Sequence, residues 1–394
     1  MKFSAKLSDF QVCLQKALPA MPRKSTLPVL EHLHFSLKNN ALQVIATDQD
    51  VTIMTGMVVE GSLDGSILVP GRRISEIIKA LGIGGNIEFS TNDDNFEITI
   101  NSDSGKYTMK GLDHMEYLNI PELFESEKPE YTDPDNINKQ NGILSVEFTK
   151  EEIKKCAEKT VFAVSNDEFR PAMNGVFFQF RSTYVNAVST DSFRLVRAVV
   201  RSENAVYPDE LDLIIPARSM DVLKKVDQDV KMSVIQIAEK ITHVRFDIGE
   251  TIFISKLIDE KFPPWESVIP ANNDKTAMFN QKEFLTAIKR VSIFTSVISH
   301  QIRVTLEENE IKITGEDEEL GSQAKETIKC DYMGERFEIA FNYKYFEEAI
   351  QNLDGITEDN LLVMSFSEST RPVILKPNND LDDLLMLIMP VRIH

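Results

Sequence analysis

The feature that most constrains how this chain folds is an internal repeat. An aromatic residue followed by a short amphipathic helical pattern occurs three times, at Phe3, Phe148 and Phe279. A second motif, an apolar pair leading into another helical pattern, begins at Leu68 and Ile214 and, less closely matched, at Ile339. The first two copies lie 145 residues apart at the aromatic position and 146 apart at the proline of the second motif. Because the two motifs recur with nearly the same spacing, they predict similar domains in a row, and hence a scaffold whose geometry is its function.

The repeat predicts three domains of ordinary size, about 120 residues each. Each repeat shows the order helix, strands, helix, strands, so each domain is predicted to pack two helices on antiparallel sheets, an α+β architecture. Irregular segments that contain several prolines separate the repeats. The predicted boundaries are residues 1–120, 144–260 and 276–394 for the domains, and 121–143 and 261–275 for the linkers.

The first domain shows the local patterns most clearly. Apolar residues recur at helical spacing from Leu7 onward, and Pro19 is expected to end that helix. Alternating apolar residues on both sides of the Asn39-Asn40 pair predict a β-hairpin. A second helix is predicted from about residue 72 to residue 81, with Gly82 as its C-cap.

Composition bounds the cellular setting. The chain is 42% hydrophobic and 27% charged, which is typical of a soluble globular protein. Charged residues near Met1 argue against a signal peptide, and no apolar stretch approaches the roughly 18 residues of a membrane span. The cysteines are scattered and odd in number, which indicates a reducing compartment; they are Cys13, Cys156 and Cys330. We therefore expect a cytoplasmic protein that does not contact membranes.

Two segments could be read as metal sites. His32 and His34 share one face of a predicted strand, but no third ligand stands nearby in sequence, so a surface pair is the favoured interpretation. Residues 133–144 loosely resemble a calcium loop, yet Ile137 and Leu144 occupy positions where oxygen ligands are needed. We predict no metal ion and no cofactor.

The sequence also lacks a recognisable catalytic arrangement. Cys156 lies on the apolar face of a predicted helix and is expected in the core rather than as a nucleophile. The Gly-x-Ser-x-Gly and His-Glu-x-x-His motifs of hydrolases are absent from the sequence. We predict that the protein is not an enzyme, although a site assembled from distant residues remains an open alternative.

Positive charge is concentrated in the predicted helices. Six helical segments together carry a net charge of +9, which leaves −28 on the rest of a chain whose total is −19. The segments are residues 6–24, 72–81, 150–160, 218–226, 282–290 and 343–353. Either the helices face a polyanion that the acidic remainder repels, or lysine and arginine simply keep exposed helix faces soluble.

Several motifs, distributed along the whole chain, resemble those of the bacterial DNA sliding clamps, the beta subunits of DNA polymerase III. The motifs are Met1-Lys-Phe, Thr26-Leu-Pro-Val-Leu, Pro70-Gly-Arg-Arg-Ile-Ser-Glu-Ile-Ile, Arg170-Pro-Ala-Met-Asn-Gly-Val, Ser189-Thr-Asp-Ser-Phe-Arg-Leu and Ile388-Met-Pro-Val-Arg-Ile. The resemblance follows the family order through all three repeats. It implies a head-to-tail homodimer that forms a closed ring of six domains, with helices lining the hole and sheets forming the rim.

The resemblance also implies a function. Such a ring encircles duplex DNA without sequence preference and tethers the replicative DNA polymerase, which confers processivity. The implied partners are duplex DNA, the polymerase, a clamp loader and other replication and repair proteins that carry short peptide motifs. The alternative is a multi-domain scaffold that binds peptides but does not encircle DNA.

The family binds partner peptides in a hydrophobic cleft between its second and third domains. Matched motif by motif, the cleft residues here would be Arg170, Met173, Thr190, Ser192, Phe193, Leu195, Pro263, Val268, Thr370, Pro372, Met389, Pro390, Val391 and Arg392. Two departures bear on peptide preference: Ser192-Phe193 replaces a frequent Gly-His pair, and His394 extends beyond the usual last residue.

The resemblance assigns two further surfaces. Residues expected to contact DNA are Arg23, Lys24, Arg72 and Arg73. The tyrosine pair that some members carry after the arginine is replaced by Pro171-Ala172. For the dimer interface, Tyr107 and Met109 of one subunit are expected to meet Ile293 and Phe294 of the next.

Overall fold

The computed structural model describes the chain except for residues 23, 118–144, 202–206, 209, 238–239, 354–359, 379–382 and 394. The predicted first linker, the calcium-like segment, Arg23 and His394 therefore lie outside the described residues. The described chain forms two compact units. The first comprises Met1–Lys150 and Val226–Leu257, and the second comprises Glu151–Lys225 and Ile258–His394.

The described helices follow the predicted segments closely, and most strands are short. The α-helices are α1 (Leu7–Ala17), α2 (Gly71–Leu81), α3 (Lys150–Thr160), α4 (Ala217–Leu223), α5 (Gln281–Val291) and α6 (Tyr343–Asn352). The strands are β1 (Lys2–Lys6), β2 (His32–Lys38), β3 (Ala41–Thr47), β4 (Val51–Val58), β5 (Glu60–Leu63), β6 (Gly65–Pro70), β7 (Asn86–Asn92), β8 (Glu97–Ser102), β9 (Gly105–Lys110), β10 (Ser145–Phe148), β11 (Gly175–Arg181), β12 (Tyr184–Thr190), β13 (Arg194–Arg201), β14 (Asp212–Pro216), β15 (Val230–Ile237), β16 (Lys240–Ile248), β17 (Thr251–Lys256), β18 (Lys275–Asn280), β19 (Gln301–Glu307), β20 (Glu310–Asp317), β21 (Ser322–Asp331), β22 (Phe337–Asn342), β23 (Leu361–Phe366), β24 (Val373–Pro377) and β25 (Leu384–Ile388).

The first helix and hairpin illustrate how local sequence sets these elements. In α1, Leu7, Phe10 and Leu14 are buried on one face, and the helix ends before a short 3-10 turn that contains Pro19. It is therefore shorter than the predicted segment. Between β2 and β3, Asn39 and Asn40 both have positive φ, of 50° and 66°, as a two-residue hairpin turn requires. The predicted hairpin is confirmed.

The first unit contains two antiparallel sheets. One has five strands in the order β5-β1-β7-β8-β9, and the other has eight in the order β10-β15-β16-β17-β4-β3-β2-β6. In the eight-stranded sheet β17 pairs with β4, which places Phe253 opposite Ile53. Strands from the first and second repeats therefore share one sheet. Phe3 stacks on Phe89 with ring centroids 4.9 Å apart, in a core closed by α1 and α2.

The second unit is built on one antiparallel sheet of twelve strands. Their order is β14-β11-β12-β13-β25-β24-β23-β18-β21-β20-β19-β22. The apolar faces of α5 and α6 pack together through Phe284 and Phe346, whose ring centroids lie 5.4 Å apart. Cys156 of α3 is fully buried, as predicted, and burial raises the pKa of its thiol to about 12. That thiol stays protonated at neutral pH and cannot act as a nucleophile.

The compact units cut across the predicted repeats, because residues of the second repeat contribute to both. The boundaries of the three domains therefore stay a prediction. Among the described residues, no helix combines the length and apolarity that crossing a membrane requires.

An aromatic stack in the first unit makes stability depend on pH. The His34 ring on β2 lies 5.6 Å from the Tyr117 ring and 6.3 Å from the His114 ring, all nearly parallel. Burial, with a smaller contribution from the His114 charge, lowers the pKa of His34 from 6.5 to about 4. The fold therefore holds His34 neutral, whereas the unfolded chain protonates it below pH 6.5.

We predict that the wild type loses stability between pH 7 and pH 5 and that His34→Phe loses about 2 kcal/mol less over the same interval. The sign follows because a depressed histidine pKa gives stability that is present above pH 6.5 and lost as the pH falls. Urea unfolding at both pH values measures the difference. Tyr117→Phe, which keeps His34 and an aromatic ring in the stack, is the control and should keep the wild-type pH dependence, because burial raises the pKa of Tyr117 away from this pH range. Equal losses in wild type and His34→Phe would contradict the prediction.

Candidate functional site

The turn between β12 and β13 is the most tightly organised part of the predicted cleft. Thr190 Oγ1 donates to the Arg194 carbonyl at 2.7 Å and accepts from the Ser192 amide at 3.2 Å. Asp191 Oδ1 accepts from the amides of Phe193 and Arg194, at 2.9 and 3.0 Å. Ser192 has a φ of +78°, an unusual conformation for a residue with a side chain. The side chains of residues 192 and 193 are thus presented by a fixed backbone.

Arg194 fastens this turn to α6. Its guanidinium donates to Asp191 Oδ2 at 3.0 Å and to the Phe162 carbonyl at 2.7 Å, and it also contacts the Glu348 carboxylate. The same guanidinium lies 4.8 Å from the centre of the Tyr345 ring. Arg194 is buried, and its charge is balanced by two carboxylates and a carbonyl.

Phe193 forms an aromatic edge beside this network. Its ring stacks on Tyr345 with centroids 5.7 Å apart and an angle of 12° between the planes. Its carbonyl accepts a hydrogen bond of 2.8 Å from the Met389 amide. The side chain is still 55% exposed, and Met389 beside it is 37% exposed. Phe193 and the C-terminal segment therefore lie side by side with apolar surface in contact with solvent.

An apolar cluster packs under the sheet at the predicted cleft. Leu195 of β13 is opposite Leu387 of β25, and both belong to this cluster. Phe262 and Trp265 also belong to it, so the segment between β17 and β18 packs against the sheet. The Phe262 ring stacks on Phe177 at 4.7 Å. Pro263 lies in that segment half-buried, and Val268 lies there exposed.

On the other side of the turn, Arg170 joins the site. Its Nη1 donates to Ser192 Oγ at 2.8 Å, and Ser192 Oγ lies 3.5 Å from Met173 Sδ. Arg170 also pairs with Asp167 at 3.3 Å. The structure therefore brings together Arg170, Met173 and Ser192, three of the predicted cleft residues.

The remaining predicted cleft residues divide into two groups. Pro372 and Val391 are held by backbone contacts, since the Pro372 carbonyl accepts from Asn273 and the Val391 amide donates to the Ala340 carbonyl at 2.8 Å. Thr370, Pro390 and Arg392 show no side-chain bond to the other predicted cleft residues within the described chain. Thr190 and Leu195 are buried, so they present little surface at the predicted cleft.

Sequence reasoning missed the residues that hold the turn in place. Tyr345 and Glu348 of α6 were not predicted, and Arg194 was passed over although it stands inside the Ser189-Thr-Asp-Ser-Phe-Arg-Leu motif. The sequence did contain a signal for Arg194, because it stands between two predicted site residues, Phe193 and Leu195. Nothing local in the sequence pointed to α6 as its partner.

The residues predicted to contact DNA lie in the first unit. Arg72 and Arg73 are exposed on α2, and no carboxylate pairs with either within the described chain. Lys24 is exposed, and Arg23 lies outside the described residues. Some cations on other helices are already engaged: Lys155 donates to the Val199 carbonyl at 2.9 Å, and Arg290 pairs with Glu326.

The residues predicted for the dimer interface differ in exposure. Ile293 and Phe294 form a 3-10 turn after α5 and are exposed, Ile293 by 76%. Val297 and Ile298, beyond the buried Thr295, are exposed as well, so four large apolar side chains of this short stretch are exposed to solvent. In the first unit Tyr107 and Met109 lie on the same face of β9, where Tyr107 is half-buried and Met109 is buried.

Comparison with models of protein families identifies the family to which the chain belongs. Models of the N-terminal, central and C-terminal domains of the DNA polymerase III beta subunit match residues 1–121, 147–264 and 266–392 in that order. The chain belongs to the DNA polymerase III beta subunit family. Its fold is therefore the three-domain one of that family, with helices and antiparallel sheets in every domain.

Individual relatives agree with this membership. The beta sliding clamp of Vibrio cholerae is 27% identical over 395 residues, with all of both chains covered. That of Bacillus subtilis is 26% identical over 406 residues, again with full coverage. Among solved structures, a Bacillus subtilis DNA polymerase sliding clamp matches with a TM-score of 0.85 at 25% identity, and a Pseudomonas aeruginosa sliding clamp bound to griselimycin with 0.86 at 22%. Both structural matches cover all of both chains.

For this beta-subunit family member we predict that Arg194→Met lowers the free energy of unfolding of the second unit by about 2–4 kcal/mol, because it leaves Asp191 and Glu348 without their counter-charge. Urea unfolding followed by the fluorescence of Trp265, the single tryptophan, measures the change. Arg201→Met is the matched control. Arg201 also pairs with a carboxylate, Asp383 at 3.3 Å, and also lies over a ring, but it is exposed, so its effect should stay below about 1 kcal/mol. Equal effects in the two variants would contradict the account of the turn.

Proposed function

We propose that this chain is a sliding clamp that encircles duplex DNA as a homodimer in the cytoplasm and tethers the replicative polymerase and other DNA-processing proteins. The observation that carries the proposal is the succession of three beta-subunit domains over nearly the whole chain. The alternative, a peptide-binding scaffold that never encircles DNA, is not favoured, because the curated relatives matched along their full length are sliding clamps.

The proposed mechanism is topological and involves no covalent chemistry, so we propose no enzyme activity. A closed ring cannot leave DNA by diffusion, and anything bound to its cleft stays near the template. Contacts to phosphate inside the ring have to be weak and independent of sequence, because strong or specific contacts would stop sliding. Arg72 and Arg73, which are exposed and pair with no carboxylate among the residues that the structure describes, suit that role. The acidic remainder keeps other surfaces away from DNA, within a screening length of about 8 Å.

A test of the DNA-facing surface is to change Lys24, Arg72 and Arg73 to alanine. DNA affinity should fall, and the slope of log K against log salt should flatten by about 0.9 for each phosphate that the variant no longer neutralises. Fluorescence anisotropy with a duplex oligonucleotide at several salt concentrations measures the slope, and binding of partner peptide should be unchanged. If the slope does not move, these residues are solvated surface charges.

Ring closure requires a head-to-tail contact, and each unit offers an open sheet edge for it. In the first unit β9 is an edge strand that carries Tyr107. In the second unit β21 pairs with β18 only at its last two residues, Cys330 and Asp331, so one side of its earlier residues lacks a neighbouring strand within the described chain. The exposed turn with Ile293 and Phe294 contacts β21. A heterologous contact between domains one and three closes at two copies if the three domains repeat around the ring.

We predict that Ile293→Glu with Phe294→Glu yields monomers by multi-angle light scattering. Burial of each apolar side chain contributes about 1.5–3 kcal/mol, and a buried carboxylate without a partner adds a further penalty. Val268→Glu is the control, because Val268 is an exposed apolar residue of the same unit that belongs to the predicted cleft rather than to the proposed interface. A double variant that remains dimeric would contradict this interface.

The cleft is proposed to bind short peptides that carry a glutamine and a Leu-Phe-like apolar pair. Their apolar end would lie over Leu195 and between Val268 and Met389. Phe193 would form one edge of the same pocket. A few buried anchors usually dominate such binding.

Deletion of residues 389–394 should abolish peptide binding while the dimer persists, because the C-terminal segment forms one wall of the cleft. Phe193→His should change affinity by about 1 kcal/mol or more, since the Phe193 ring contributes apolar surface. Calorimetry on the wild type and both variants, with light scattering as the check on assembly, separates the two effects. Full affinity after the deletion would place the site elsewhere.

A further inference from the structure

Phe169 is the most exposed large apolar side chain of the described chain, at 95%. The loop that carries it is nonetheless well ordered by its own hydrogen bonds. The Ser165 amide donates to the Met173 carbonyl at 2.9 Å, and the Arg170 amide donates to the Asp167 carbonyl at 3.0 Å. Asp167 Oδ1 accepts from the Phe169 amide, also at 3.0 Å. A fixed backbone therefore holds a phenyl ring in water, and the fold of the described second unit makes no use of that ring.

The loop is attached to the predicted cleft. Arg170, the next residue, donates to Ser192 Oγ at 2.8 Å, and Ser192 immediately precedes Phe193. Two exposed phenyl rings thus flank one side-chain hydrogen bond, with Phe193 at the cleft edge and Phe169 beyond it. An extended peptide rises about 3.4 Å per residue, so roughly three residues span the length of an arginine side chain. A partner anchored in the cleft can reach Phe169 with the residues next to its anchor.

The charge around Phe169 indicates which partner suits it. Glu168 is exposed and has no ion pair within the described chain, while Asp167 shares its charge with Arg170. The loop of residues 165–170 is therefore mostly polar, with Phe169 as its one large apolar side chain, and its two carboxylates and one guanidinium give it a net charge of −1. It would attract lysine or arginine and repel the phosphates of a nucleic acid.

We propose that the loop of residues 165–170 is a second docking point for partner proteins, and that it takes an apolar residue accompanied by a lysine or arginine from the segment that flanks the cleft-binding motif. The inference rests on the proposed function, because the cleft supplies the anchor. It goes beyond that function by assigning recognition outside the cleft, to Phe169 and Glu168. Partners with the same short motif would then be ranked by their flanking residues.

The test compares three synthetic peptides by calorimetry. The short peptide contains only the glutamine and the Leu-Phe pair with their intervening residues. The other two add five residues, including one leucine and one lysine, at the amino end or at the carboxyl end. At least one extended peptide should bind the wild type about five to ten times more tightly than the short one. Phe169→Ser should remove that gain and leave the affinity for the short peptide unchanged.

Two further variants sharpen the comparison. Glu168→Lys should reduce the gain, and the reduction should be smaller when the lysine of the extension is replaced by glutamine. Met333→Ser, which removes an exposed apolar side chain elsewhere in the same unit, should alter neither affinity.

The outcomes separate the inference from the proposed function. If neither extension improves binding to the wild type, or if the gain survives in Phe169→Ser, the docking point is overturned while short-peptide binding still supports the cleft. If the short peptide fails to bind and an extended one binds through Phe169, the cleft assignment fails, and the loop is overturned as a second docking point because it then binds without the cleft as anchor. A single-stranded oligonucleotide that binds the wild type but not Phe169→Ser, with no peptide gain, would overturn the inference in favour of nucleic acid.

Discussion

The pairing of β13 with β25 is the interaction on which the candidate site depends. It joins strands of the second and third repeats in one sheet, with Leu195 opposite Leu387 and Arg194 opposite Ile388. Because of this register, the chain leaves β25 directly beside the turn that carries Phe193, and the Met389 amide reaches the Phe193 carbonyl. Without the shared sheet, the C-terminal segment and the turn would have no fixed relation.

Arg194 extends that constraint from the sheet to the helix. A buried guanidinium needs compensation on every side, and here Asp191, Glu348 and two aromatic rings provide it. The turn therefore has one position relative to α6. The Phe193 ring, stacked on Tyr345, is held in place as one edge of the predicted cleft. Preformed edges favour binding of short peptides, because the protein loses little conformational freedom when the peptide arrives.

Local sequence patterns predicted the elements well, and long-range pairing poorly. The predicted helices at 72–81 and 150–160 match α2 and α3 to within a residue, because their apolar spacing and their ends are encoded locally. The Asn39-Asn40 turn was predictable for the same reason. The sharing of sheets between repeats, the Tyr345 stack and the partners of Arg194 are contacts between residues far apart in the chain, and no periodicity signals them. Most cleft residues were named through family motifs rather than through spacing or composition.

The most direct test of the account is topological. The protein is loaded onto a nicked circular plasmid by its clamp loader, isolated by gel filtration in high salt, and passed through the column again after a restriction enzyme has cut the plasmid once. A ring that encircles DNA is predicted to elute with the circle and to be released from the linear form. Equal retention on circular and linear DNA would contradict the central claim, because binding would then depend on surface contacts rather than on enclosure.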